Sequence, residues 1–126
     1  CYCGRVGCIE TWCSGRAFEA QYAAHKGVDL KAAEIIDLKR RGDHLANLLW
    51  RRYVDRVARG LATVVNTLDP DVLVMGGGMS NVDELYEDLS RELARHTFST
   101  VFHTPIRRNR HGDASGVRGA AWLWKE

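Results

Sequence analysis

The chain has 126 residues, 45% of them hydrophobic and 27% charged, enough for a single domain over residues 1–126 built around one core. Its formal net charge of +2 argues neither for nor against a polyanion partner, and no apolar run approaches the roughly 20 residues that span a membrane. Four cysteines at close spacing suit a reducing cytoplasm better than a secreted disulfide scaffold.

The first eight residues form a compact loop carrying Cys1, Cys3 and Cys8 in a Cys-x-Cys-Gly-x-x-Gly-Cys pattern. Gly4 and Gly7 let the backbone turn tightly, so three sulfurs can face one centre. Zinc takes thiolate sulfur in tetrahedral sets of four, and this loop supplies most of such a set. A disulfide or buried free thiols fit less well, because Cys1 and Cys3 are too close in sequence to pair well with each other.

Ile9 to His25 reads as mostly helical, interrupted at Ser14-Gly15, with Ser14 as N-cap of Arg16 to His25 and Gly27 as its stop. A short helix follows over Leu30 to Arg41, ended by Gly42. Asp43 caps the longest helix, Leu45 to Leu68. Leu45, Leu48, Leu49, Tyr53, Val57, Leu61, Val64, Val65 and Leu68 recur there in steps of three and four and predict one apolar stripe. Arg51, Arg52, Asp55, Arg56 and Arg59 fall on other faces and read as a solvated surface. Asp69-Pro70 closes this helix.

Within Asp71 to Met75, Val72, Leu73, Val74 and Met75 are continuously apolar, and a run apolar on both faces predicts an interior parallel strand. Gly76, Gly77 and Gly78 follow it directly. Ser80 is the expected cap of a helix from Asn81 to His96, with Asp83 and Glu84 in its first turn and Val82, Leu85, Leu89 and Leu93 on its core side. Thr104 to Arg110 is a second strand candidate, His111-Gly112-Asp113 a turn, and Ser115 the start of a last helix carrying Ala120, Ala121, Leu123 and Trp124. The basic run Ile106 to His111 has the composition of a phosphate or nucleic-acid contact, but on a strand it reads more simply as a solvated edge. His111 and Asp113 fit a polar turn better than a catalytic pair.

A strand followed by three glycines and a helix leaves bare backbone where ligands bind in open α/β sheets. A flat base, a ribose or a phosphate can approach such backbone closely, although a tight turn alone explains the glycines equally well. Glu10, two residues past Cys8, is by itself an ordinary helix-start carboxylate.

The run CYCGRVGCIETWCSG resembles the signature of the ROK family of sugar kinases and related repressors, and LDPDVLVMGGGMSN and HGDASGVRGAAWLW are similar to later blocks of its fructokinase and mannokinase branch. The resemblance implies an actin-like, ribonuclease H-like fold, of which this chain is part of the C-terminal lobe, helix-rich α/β with about two parallel strands. It implies a structural zinc on Cys1, Cys3 and Cys8, hexose hydroxyls on Glu10, and the adenosine part of ATP, with Mg as its companion, against Gly76, Gly77 and Gly78. The implied reaction is transfer of a phosphoryl group from ATP to the 6-hydroxyl of fructose, mannose or a similar hexose. The implied partners are hexose, ATP and an N-terminal lobe of the same protein, with room for a homodimer and no nucleic acid.

The family's fourth zinc ligand, a histidine, and its catalytic Asp both precede the position of Cys1, so the chain reads as the C-terminal part of a longer protein. A sugar-responsive repressor of the same family is the rival reading. Asp83 and Glu84, just beyond the glycines, are expected to repel phosphate and so to favour adenosine there.

Overall fold

The computed structural model describes residues 1–99, 101–112 and 114–124. It contains six α-helices among these residues: α1 (Glu10–Cys13), α2 (Gly15–Lys26), α3 (Ala32–Arg40), α4 (His44–Leu68), α5 (Glu84–Ala94) and α6 (Ser115–Trp122). Two short strands, β1 (Leu73–Met75) and β2 (Ile106–Arg108), pair in parallel with Leu73 opposite Ile106 and Met75 opposite Arg108. The helix-rich α/β composition with two parallel strands is the one expected. No helix among the described residues is long and apolar enough to cross a membrane.

Local chemistry sets most helix ends. The Ser14 hydroxyl accepts from the Ala17 amide at 3.1 Å and starts α2, and Gly27, at φ +69°, ends it. The Asp43 carboxylate accepts from the Ala46 amide at 2.7 Å and starts α4. At the start of α3, the Lys31 amide donates to Glu34 at 2.7 Å and the Ala32 amide to Glu19 of α2 at 2.9 Å. Otherwise unsatisfied first-turn donors are thereby paired.

Helix α4 is the scaffold, contacted by α1, α2, α3 and α5. Its buried arc differs from the expected stripe. Leu49, Tyr53, Val57 and Val65 are buried as predicted, but so are Ala46, Trp50, Val54, Ala58 and Ala62. Leu48, Val64 and Leu68 are exposed, Leu68 at 70%. The reason is that α4 is packed from several directions, and its alanines let neighbouring helices come close. Bulk hydrophobicity alone misses such positions. Phe18, Trp50 and Tyr53 form the aromatic centre, with Trp50 stacked on Tyr53 at 5.9 Å. The Trp50 indole N–H donates to Asp88 at 2.8 Å, so its one polar group is satisfied.

Two further expectations are corrected. The strand run was expected to be buried on both faces, yet Leu73 is buried while Val74 is 61% exposed. Among the described residues the sheet has two strands, so β1 has one strand neighbour, and only its Leu73 face joins the core. Ser80 does not cap α5. Gly78–Asn81 is a turn of 3-10 helix, Val82 is extended, and α5 begins at Glu84. Ser80 is buried, and its hydroxyl donates to the Gly77 carbonyl at 2.7 Å. Its carbonyl accepts from Tyr86 Oη at 2.6 Å and Arg108 Nε at 2.9 Å. The core side of α5 is as expected, with Leu85, Leu89 and Leu93 fully buried. The last helix ends at Trp122, leaving Leu123 and Trp124 beyond it and exposed; Asp113 lies outside the described residues.

Glu84 ties the start of α5 to the end of α3. Arg40 donates to its two oxygens at 2.9 and 3.0 Å, and Lys39 Nζ lies 3.5 Å away. The Arg40 hydrogen bonds pull the Glu84 carboxyl from its ordinary 4.5 down to about 2. A depressed carboxyl stabilises the fold above its unfolded value and loses that contribution as it protonates, here between pH 4.5 and about 2. Glu84→Gln is therefore expected to lower the urea midpoint at about pH 6 and to converge on the parent near pH 2. An undiminished difference at the acid end would assign the effect to packing instead.

Candidate functional site

The cysteine loop folds as its glycines suggest. Gly4 and Gly7 sit at φ +79° and +78°, a region that side-chain-bearing residues rarely adopt. The sulfurs of Cys1, Cys3 and Cys8 lie within 4.8 Å of one another, with Cys3 and Cys8 at 3.5 Å. Sulfurs bound tetrahedrally to zinc at about 2.3 Å stand roughly 3.8 Å apart, so the spacing and the donor type suit that ion. The Arg5 backbone amide, then the Cys8 thiol, hydrogen-bonds Cys3 and holds its thiol below the ordinary value, favouring the thiolate that metals require. No fourth donor joins the group among the described residues. Cys13 stands apart, packed against the core, where burial pushes its thiol up.

The loop runs directly into α1. The Thr11 amide and hydroxyl both donate to the Cys8 carbonyl, at 3.0 and 2.6 Å, fastening the last cysteine to the helix that starts with Glu10. Glu10 and Gly76, Gly77 and Gly78 line one cavity of about 530 Å³. Glu10 and Gly76, far apart in sequence, thus line the same cavity.

Gly15 of α2 faces Met79 of the 3-10 turn that follows the glycines. A Cβ at position 15 would lie 3.3 Å from Met79 Cγ, so its bare backbone lets the start of α2 close onto the 3-10 turn. A side chain at position 15 would require Met79 to shift by a few tenths of an ångström, which gives the Ser14-Gly15 break a packing role beside its capping one. Gly77 has its own constraint. At φ +75° and ψ 177° it occupies a region reached almost only by glycine, a strain Gly76 and Gly78 do not share, while a Cβ on any of the three meets nothing within 4 Å.

Arg16 and Glu19 also line the cavity, and sequence reading assigned them no role. Their spacing of three on α2 puts them on one helix face, which was the available signal. The expected repulsion by Asp83 and Glu84 is weakened, since each is ion-paired: Asp83 with Arg108 at 2.7 Å and Glu84 with Arg40. Arg108 also lies over the Tyr86 ring, so one member of the basic run serves the fold. A second group of metal-type donors, Asp55, Glu92 and His96, has carboxylates already paired with Arg59 and Arg95 and reads as an ion-pair network tying α4 to the end of α5.

Residues 1–126 match the model of a family described as the ROK family. The chain is 44% identical over 123 residues to an N-acetyl-D-glucosamine kinase of Photobacterium profundum, covering 98% of this chain and 41% of that protein. A ROK hexokinase from Thermus thermophilus superposes with a TM-score of 0.81 at 34% identity, over 96% of this chain and 41% of the other. A ROK family glucokinase from Streptomyces griseus, solved in complex with glucose and AMPPNP, superposes with a TM-score of 0.83 at 26% identity, over 98% and 46%. The chain spans about two fifths of the length of the curated relative.

Proposed function

The chain belongs to the ROK family, and from that premise we propose that it works as the C-terminal part of an ATP-dependent sugar kinase. Its fold is that of these kinases, an actin-like one. The observation that carries the proposal is the shared cavity of Glu10 and the three glycines. Glu10 accepts hydrogen bonds from adjacent sugar hydroxyls, as an ionised carboxylate with two oxygens is suited to do. The bare backbone of Gly76 to Gly78 receives the adenosine part of ATP.

Phosphoryl transfer depends mainly on positioning and on neutralising phosphate charge. These residues position the sugar and the nucleoside. The base that takes the hydroxyl proton and the first phosphate loop belong to an N-terminal lobe of the same protein. Magnesium bound with ATP supplies charge neutralisation at the phosphates. A zinc on Cys1, Cys3 and Cys8 holds the loop that aims Glu10. The repressor reading is weaker, because the relatives carry kinase names. The sequence resemblance points to fructose or mannose, whereas the curated relative is named for N-acetylglucosamine, which makes that amino sugar the first substrate to try.

A coupled assay of the full-length protein with N-acetylglucosamine, glucose, fructose and mannose tests the class. In the same assay Gly76→Val, which introduces no positive-φ strain, should raise the KM for ATP by about tenfold, equal to about 1.4 kcal/mol, and leave that for sugar nearly unchanged. A folded variant with an unaltered ATP KM would return the glycines to the role of a turn.

A further inference from the structure

Helix α1 carries Glu10 but buries none of its residues. It is four residues long, and a helix that short has no stability of its own in water. Its placement must come from side chains that reach other elements. Ile9 lies over Gly60 of α4, where a Cβ would come within 2.7 Å of Ile9 Cδ1. Cys13 packs against the core. Between them Trp12, 48% exposed, lies under the guanidinium of Arg56, 4.6 Å from the ring centre.

Arg56 does more than cover the ring. Its Nη1 donates to Gln21 Oε1 at 2.6 Å, and Gln21 Nε2 donates in turn to the Ala17 carbonyl at 3.0 Å. One half-buried cation on α4 therefore joins α1 through an indole face and α2 through an amide. No carboxylate pairs with it among the described residues. A planar guanidinium can stack on a ring and donate in its own plane at once, which an ammonium cannot do as well.

We infer that Arg56 is a positioning residue for the sugar site: through Trp12 and Gln21 it sets α1 against α2 and so places the Glu10 carboxylate in the cavity. The inference rests on reading Glu10 as the hexose ligand. It makes Arg56, outside the cavity lining, a determinant of sugar affinity that leaves the nucleotide side alone.

The test uses the full-length kinase with N-acetylglucosamine and ATP, and compares Arg56→Ala, Arg56→Lys, Trp12→Leu and Glu10→Gln with the double variant Glu10→Gln/Arg56→Ala. Arg56→Ala should raise the sugar KM roughly fivefold to twentyfold while the ATP KM stays within about twofold. Arg56→Lys keeps a cation over the ring and should recover part of the loss. Trp12→Leu, which leaves the Arg56–Gln21 hydrogen bond in place, should shift the same constant in the same direction. The double variant should lose less than the product of the single losses, because Arg56 acts through Glu10. An unchanged sugar KM in Arg56→Ala or Trp12→Leu, beside a raised one in Glu10→Gln, would overturn this inference alone. Equal rises in both KM values would also overturn it, by making the residue a general stabiliser. No effect of Glu10→Gln would instead remove the reading on which it rests.

Discussion

Cys8→Ser should abolish metal binding by the amino-terminal loop. Cys8 is the pivot of that loop: its sulfur lies 3.5 Å from Cys3 and its carbonyl accepts two hydrogen bonds from Thr11. Serine keeps the backbone contacts but replaces a thiolate by a hydroxyl that stays protonated and binds zinc poorly. Structural zinc in small sites contributes on the order of 10 kcal/mol to folding, and a zinc held by these cysteines would act on the loop and on the seat of α1. We expect about one zinc per chain in the full-length parent by elemental analysis and none in the variant, with sugar affinity lost alongside. Cys13→Ser is the control and should retain the ion, since Cys13 packs against the core and is not part of the three-sulfur group. A parent protein without zinc would sink the assignment.

Glu10→Gln should weaken hexose binding by roughly tenfold to a hundredfold, because a hydrogen bond to a charged group contributes about 1.5–3 kcal/mol. Glutamine preserves size and one acceptor oxygen, so the loss reports charge and the second acceptor. The ATP KM should hardly move. Glu10 stands at the first position of α1, fixed from one side by the Cys8 carbonyl contacts and from the other by the packing of Ile9 and Trp12 on α4. Such anchoring suits a group that orients substrate. A change confined to kcat with a displaced pH profile would make Glu10 the proton acceptor instead. No change in either constant would leave it a helix-start carboxylate.

The glycine cluster shows how a structure alters the design of a test. From sequence the three glycines are equivalent, and the middle one is the natural target. The backbone separates them. Substitution at Gly77 forces a side chain into φ +75°, so any loss there mixes strain with ligand contact. Gly76, like Gly78, is a position at which the two effects come apart.

Some features of this protein are decided within a few residues of themselves, and these the sequence determined. Ser14 and Asp43 cap their helices, Gly27 ends one, and Leu85, Leu89 and Leu93 form the buried side of α5, because capping and periodicity act over one to three turns. The three-cysteine group was legible for the same reason, since eight residues contain all its donors. The sharing of one cavity by Glu10 and Gly76–Gly78 was not. Neither was the burial of Ala46, Ala58 and Ala62, the exposure of Leu68 and Val74, or the diversion of Ser80 from capping to the Gly77 carbonyl. Each of those depends on which elements surround α4 and β1 and how closely they approach. That is settled by packing a set of helices around one long axis, where a small side chain such as Gly15 against Met79 or Gly60 against Ile9 fixes a distance that no local pattern encodes.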